Sequence, residues 1–336
     1  MPDVRRNSAV LFEPDCPVLD LGRVVLLGYG NQGRAHSLNL RDAGAKVAVA
    51  LRPGSPSFEA ARGEHLAVCE IADAADADVV VWAIPDEAVP DAASCLDKVK
   101  DGQLWLFLHG LAVTWGWVTP PDNVDVALLA PQGPGTALRR SFQAGSGLPA
   151  ALAVEKNRTG TAEERLLAYA RLAGCARGGL IWTTFREETV VDHFGEQAVL
   201  CGGVPALVRA AWETLVAAGH DPRLAYIECL MQLKLLVDLM HDHGLEGMRR
   251  KISATALFGA ATRGERVVGE QTRGALAEIL GDIERGAFAE DWLAVSRKSN
   301  WPRERERLLD GADPFEEAGR WVRENLHFSS ADGGEP

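Results

Sequence analysis

The chain has 336 residues, 47% hydrophobic and 24% charged, with a formal net charge of −12. That balance excludes a mainly disordered chain, and the acidic excess argues against a general nucleic-acid binder. No stretch nears the ~18 consecutive apolar residues of a membrane span, and Glu13, Pro14, Asp15 and Pro17 interrupt the start where a secretory leader needs an apolar core; with six cysteines in no CxxC pairing, a cytoplasmic protein with reduced thiols is expected.

In chain order, residues 23–28 are a β-branched run ending in glycine, followed by YGNQG and the amphipathic RAHSLNLRDAG. This predicts strand, tight turn and helix, with Gly44 closing the helix. Strands are predicted at 46–51, 79–84, 104–108, 125–130, 149–154 and 179–183, with a helical stretch ending near Asp78 and a helix from about 87 to 97. Strands alternating with helices imply right-handed crossovers and a parallel sheet covered on both faces. Beyond about residue 185 helical periodicity takes over, over 189–200, 204–219, 222–243, 246–258, 270–286 and 287–296. The stretch Pro222 to Met240 is apolar on nearly every side, which suits a core or an oligomer interface. The final SSADGGEP is small and polar, and reads as a disordered tail. The organisation is α/β over 1–184, all-α over 185–328, and a tail at 329–336.

Gly28-Tyr29-Gly30-Asn31-Gln32-Gly33 is a GxGxxG placed between strand and helix. The first glycine permits the turn, the second lets a pyrophosphate approach the helix N-terminus, and the third lets helix and strand pack closely. A Rossmann-type, doubly wound dinucleotide-binding domain is the expectation. Past the second strand the sequence reads Arg52-Pro53-Gly54-Ser55-Pro56-Ser57, with no acid before Glu59. A cation and two hydroxyls suit a 2′-phosphate, so NADPH is favoured over NADH. In the helical half Asp192 and Glu196 stand four apart, and Glu228 and Gln232 repeat that spacing. Such pairs project from one helix face, and oxygen clusters of this type suit Mg²⁺ or, equally, solvated charges and structural hydrogen bonds.

These segments resemble the ketol-acid reductoisomerases in their short, class I form. The resemblance runs from about Val24 to Trp292 through GYGNQG, AHSLNLRDAG, LRPGSPS, PDE at 85–87, HG at 109–110, APQGPG, ETVVDHFGEQAVLCGG, ECLMQLKLLVDLM and GMRRKIS. It implies a knotted helical domain, a homodimer whose active sites are completed across the interface, and a small-molecule substrate. The family's reaction is an alkyl migration assisted by two Mg²⁺ ions, followed by reduction with NADPH. Carried over by residue, Tyr29, Asn31, Gln32, Arg52, Ser55, Ser57, Asp86 and Gly135 match cofactor contacts, and His109 matches the active-site histidine. Asp192 matches the carboxylate that bridges both metals, Glu196 a ligand of one, Glu228 a ligand of the other supplied from the partner subunit, and Ser253 a serine that contacts substrate.

Two positions depart from the family pattern within the chemistry. Gln132 stands where PKGPG has lysine, and Gln232 stands where ECLHELK has its second glutamate. A glutamine cannot shuttle a proton, and its neutral carbonyl is a poorer ligand for a hard cation. Met231, Ala254, Leu257 and Thr114-Trp115-Gly116-Trp117 also differ from the family pattern. Trp115 and Trp117 could stack on a planar substrate, but packing against the core or a subunit interface is the better expectation. Hydride transfer keeps its parts while alkyl migration loses two. The reading is an NADPH-dependent reductase on this scaffold with a weakened Mg²⁺ site, acting on a non-standard substrate of specialised biosynthesis. A genuine reductoisomerase and a non-catalytic NADPH-binding pseudoenzyme are the alternatives.

Overall fold

The computed structural model describes residues 10–96, 98–297 and 313–326; the predicted tail at 329–336 lies outside them. The chain divides into two compact units, Met1–Asp192 and His193–Pro336.

The first unit is built on β1 (Arg23–Leu27), β2 (Lys46–Ala50), β3 (Ala67–Cys69), β4 (Val79–Trp82), β5 (Leu104–Phe107), β6 (Asp125–Pro131), β7 (Ala150–Lys156) and β8 (Leu180–Trp182). They form one sheet in the order β3-β2-β1-β4-β5-β6-β7-β8, which begins with the strand order of dinucleotide-binding folds. Alternate residues of each strand feed different layers. Val24, Leu26, Val79, Val81, Leu104 and Leu106 pack on one face, and Val25, Leu27, Val80, Trp82, Trp105 and Phe107 on the other. Burial on both faces is why these strands read as unbroken apolar runs. The covering helices are α1 (Asn31–Asp42), α2 (Ser57–Gly63), α3 (Val89–Ser94), α4 (Leu111–Thr114), α5 (Gly135–Gln143) and α6 (Ala162–Ala173).

The structure departs from expectation in three places here. β7 runs antiparallel to β6, with Ala150 opposite Pro131, because α5 and its loops return the chain to the end of β6 that it left. β3 was not predicted; at three partly exposed residues it is too short to show a period. The helix expected over 87–97 is a 3₁₀ turn at Asp86–Ala88 followed by the short α3 with Pro90 in its first turn.

The boundary between the units falls inside α7 (Phe185–Phe194), whose run continues through a π-helical segment, Gly195–Leu200. There follow α8 (Gly203–Ala217), α9 (Pro222–Tyr226), a second π segment (Ile227–Met231), α10 (Gln232–Lys251), α11 (Ala254–Val267), α12 (Glu270–Glu284), α13 (Ala287–Ser296) and α14 (Pro314–Asn325). α10 is broken at Gly244 (φ +68°), where the helices predicted over 222–243 and 246–258 part, and the second of these is divided again before α11. Ser253 caps α11 by accepting from the Ala256 N–H at 3.1 Å, so the new helix starts there. α14 was also not predicted. It packs Phe315, Ala318 and Val322 onto Val208 and Trp212 of α8 and Tyr226 of α9. By length and composition the run Phe185–Ala217 could cross a membrane, and only 11% of its most apolar window is buried. The apolar stretch from Pro222 divides: Ala225 and Tyr226 are buried in the cluster with Phe315 and Trp212, with Leu230 and Leu233 packed against it, whereas Leu235 and Val237 beyond it are 50% and 46% exposed.

Candidate active site

Between β1 and α1 each glycine of GYGNQG has a separate task. Gly28 sits at φ +93°, and a Cβ there would meet the Ala83 carbonyl oxygen at 2.8 Å. A Cβ on Gly33 would stand 2.5 Å from the Gly28 carbonyl oxygen, so helix and strand could not approach as they do. Gly30, the N-cap of α1, has nothing within 4 Å of that position, leaving open space in front of the helix N-terminus for an anion. The loop after β6 closes on the same helix end. Gln32 Nε2 donates to the Gly133 carbonyl at 2.9 Å, and the Thr136 N–H donates to Asn31 Oδ1 at 3.0 Å. Gly135 lies so near Asn31 that a Cβ would be 2.1 Å from the Asn31 carbonyl oxygen. The Asn31 side chain and Gly135 therefore build the cradle itself. Gln32 Oε1 is buried with no hydrogen-bond partner among the described residues, a vacancy that suits a ligand's donor.

A cavity of about 540 Å³ opens beside this turn, lined by Gly28, Tyr29 and Gly30 and by Arg52, Ser55 and Ser57 beyond β2. The opposite wall carries Ile84, Pro85, Glu87, Ala88, Asp91, Ala92 and Cys95. The volume and concave shape fit a nucleotide, and the residues present fit a nicotinamide dinucleotide. Tyr29 lines this space, and its hydroxyl donates to Glu64, which also pairs with Arg34. Burial and the Glu64 carboxylate push the Tyr29 hydroxyl well above its ordinary pKa.

Asp86 is not part of that lining and belongs with a second group. His109, in the turn between β5 and α4, places Nδ1 3.0 Å from Glu188 Oε1 and 3.7 Å from Asp192 Oδ2. The other Glu188 oxygen accepts from the Gly110 N–H at 2.9 Å. Only glycine fits at 110, where a Cβ would meet Thr189 Oγ1 at 2.5 Å and the Phe185 carbonyl oxygen at 2.6 Å. Thr114 and Thr189 hydroxyls, 3.1 Å apart, add a second tie to α7. Burial alone would depress the His109 pKa, but the Glu188 hydrogen bond and charge, with Asp86 and Asp192, raise it to about 9. Burial raises the Asp86 pKa, the neighbouring carboxylates adding to it and His109 opposing. The surrounding carboxylates thus favour the protonated imidazole, the form able to donate a proton or polarise a carbonyl.

Glu188 is the residue that reading the sequence missed. The spacing that singles out Asp192 and Glu196 also holds for Glu188 and Asp192 one turn earlier. Asp192 and Glu196 lie on one continuous helical run, and Glu228 with Gln232 on another. Asp192, Glu196 and Glu228 are exposed in the single chain, so the cost of burying a charge does not by itself require a metal there. Their oxygens remain a fitting donor type for Mg²⁺. Gln132 is exposed, and its Nε2 donates to the Ala130 carbonyl at 3.1 Å. Ser253 uses its hydroxyl as the α11 cap. Trp117 packs against the sheet core, and Trp115 lies under the Arg186 guanidinium at 5.2 Å, which favours packing over stacking on a substrate.

Two family models match the chain: acetohydroxy acid isomeroreductase, NADPH-binding domain, over residues 18–179, and ketol-acid reductoisomerase, C-terminal domain, over 185–328. Among solved structures, an NADH-preferring ketol-acid reductoisomerase from an uncultured archean is 33% identical. It superposes with a TM-score of 0.89 over 95% of this chain and 99% of its own. A semialdehyde dehydrogenase NAD-binding protein from Cupriavidus necator shares 17% identity at a TM-score of 0.61, over 79% of this chain and 99% of that one. A putative oxidoreductase from Jannaschia sp. CCS1 shares 18% identity at 0.57, over 78% and 97%. The last two are similar in fold alone.

Proposed function

The chain belongs to the ketol-acid reductoisomerase family, and we propose that within it this protein reduces a C=O, C=N or activated C=C substrate with NADPH, without the alkyl migration. It is an NAD(P)H-dependent oxidoreductase on the family scaffold. The observation that carries the finer reading is Gln132. At the lysine position of the family motif stands a neutral amide folded back onto Ala130 of the preceding strand. Gln232 removes a carboxylate from the helical side, so the migration loses a cation and an anion. Losing one such electrostatic contributor typically costs ~10²–10³ in rate, and coupled losses do not simply multiply.

Hydride transfer asks for less. The bound nicotinamide would supply the hydride. His109, held by Glu188, polarises the acceptor and delivers the proton, and Asp86 and Asp192 hold its charge. Arg52, Ser55 and Ser57 support NADPH over NADH by offering a cation and two hydroxyls to a 2′-phosphate. Asp192, Glu196 and Glu228 would hold Mg²⁺, more weakly than a set with four carboxylates. The exposed apolar residues of α10 and of the Phe185–Ala217 run support a homodimer that covers them, in a cytoplasmic enzyme of specialised biosynthesis.

The 33% identity across nearly the whole chain to a reductoisomerase favours a second reading, a genuine reductoisomerase that tolerates both glutamines. NADPH oxidation with 2-acetolactate and with 3-hydroxy-3-methyl-2-oxobutanoate, each with and without Mg²⁺, separates the two. The second compound is the migrated ketone and tests reduction alone. Turnover of 2-acetolactate at an ordinary enzymatic rate would establish the second reading. Silence on 2-acetolactate with reduction of the ketone supports the first. NADPH binding without turnover of any carbonyl or imine tested would leave a pseudoenzyme.

A further inference from the structure

The cavity beside the glycine turn has two chemically opposite poles. Arg52, Ser55 and Ser57, which follow β2, line it together with Glu87 and Asp91, which follow β4. Glu87, Asp91 and Cys95 are spaced by four along the 3₁₀ turn and α3, forming one polar row. Ala88 and Ala92 form a parallel row of small apolar residues, with Ile71 and Ile84 also lining the space. Small side chains leave room for a flat ring, and the polar row lines the same space. Among the described residues neither Glu87 nor Asp91 has a cation as ion-pair partner. A ligand filling this space must bring an anion to Arg52 and a hydrogen-bond donor to the carboxylates.

We propose that Glu87 and Asp91 read the exocyclic amino group of the purine, so that the cavity selects a 6-aminopurine dinucleotide over its 6-oxo counterpart. This rests on the reading that the cavity takes the adenosine half of the cofactor. An ionised carboxylate accepts hydrogen bonds and donates none. A 6-amino group supplies the donor. A 6-oxo group presents an acceptor to an acceptor, leaving both oxygens desolvated and unpaired. Discrimination thus comes from repulsion of the wrong base as well as attraction of the right one.

The test is a fluorescence titration of the full-length protein with NADPH and with reduced nicotinamide hypoxanthine dinucleotide phosphate, which differs only at that purine substituent. The 6-oxo compound is expected to bind about tenfold more weakly, the scale of one hydrogen bond to a charged group. In a Glu87→Gln/Asp91→Asn variant, whose amides can donate or accept, the ratio of the two affinities should approach one through weaker NADPH binding and tighter binding of the analogue. An unchanged melting temperature would exclude misfolding as the cause. Equal affinities in the unsubstituted protein, or an unchanged ratio in the variant, would overturn the proposal while leaving the cofactor reading intact. Binding of neither dinucleotide would overturn both.

Discussion

The two ends of this chemistry are finished to different degrees. Around β1, α1 and the turn after β5, backbones approach until only hydrogen atoms fit at Gly33, Gly110 and Gly135, and His109 already has its carboxylate partners. On the helical side Glu196 and Glu228 are exposed, and apolar residues such as Leu235, Val237 and Phe258 lie open. A site whose hydrogen bonds close within one chain can be read from one chain. In the proposed homodimer, side chains left open on the helical side would be completed by the partner surface, and their chemistry would depend on assembly.

The comparison breaks hardest at Gly33. A Gly33→Ala substitution puts a methyl against the Gly28 carbonyl, and should abolish NADPH binding in titration and destabilise the fold by about 1–3 kcal/mol. An unaltered NADPH affinity would show that the close approach is not needed. Next is Glu188→Gln, which removes the charge that holds His109. The turnover number is expected to fall ~10²–10³-fold with the NADPH affinity unchanged, and a fall in NADPH affinity instead would place Glu188 in the cradle. Leu235→Glu and Val237→Glu should leave the melting behaviour of the isolated chain within about 0.5 kcal/mol yet shift sedimentation towards the monomer. Unchanged sedimentation would remove this face from the proposed interface.

The smallest effect concerns pH. His36 on α1 is fully buried against the Tyr169 hydroxyl at 2.9 Å, and burial lowers its pKa to about 3. Its folded-state value lies below the unfolded ~6.5, so the unfolded chain takes up the proton first. The contribution to stability is complete above that value and is lost progressively as pH falls from ~6.5 towards 3. His36→Gln should therefore show a shallower fall in melting temperature between pH 7 and 5 than the unsubstituted protein; parallel curves would contradict it.

The nucleotide-binding half was legible because its signals are local. A strand, three glycines and a helix lie within twenty residues, and strands buried on both faces announce themselves by composition. The parts that escaped depend on distance along the chain. Glu188 acquires its meaning only from His109, 79 residues earlier. The reversal of β7 is set by where α5 returns the chain. α14 is recognisable through its contacts with Trp212 and Tyr226, and Ser253 acts as a cap because of where α10 ends. Gln132 and Gln232 were visible in the sequence as departures, and the fold of the Gln132 amide onto Ala130 was not.

Under the proposed function these two glutamines remove alkyl migration while sparing reduction. The direct measurement is NADPH oxidation with 2-acetolactate and Mg²⁺ by the unsubstituted protein and by a Gln132→Lys/Gln232→Glu variant. No turnover is expected from the former and a measurable gain from the latter. Turnover by the unsubstituted protein at an ordinary enzymatic rate would contradict the proposed function.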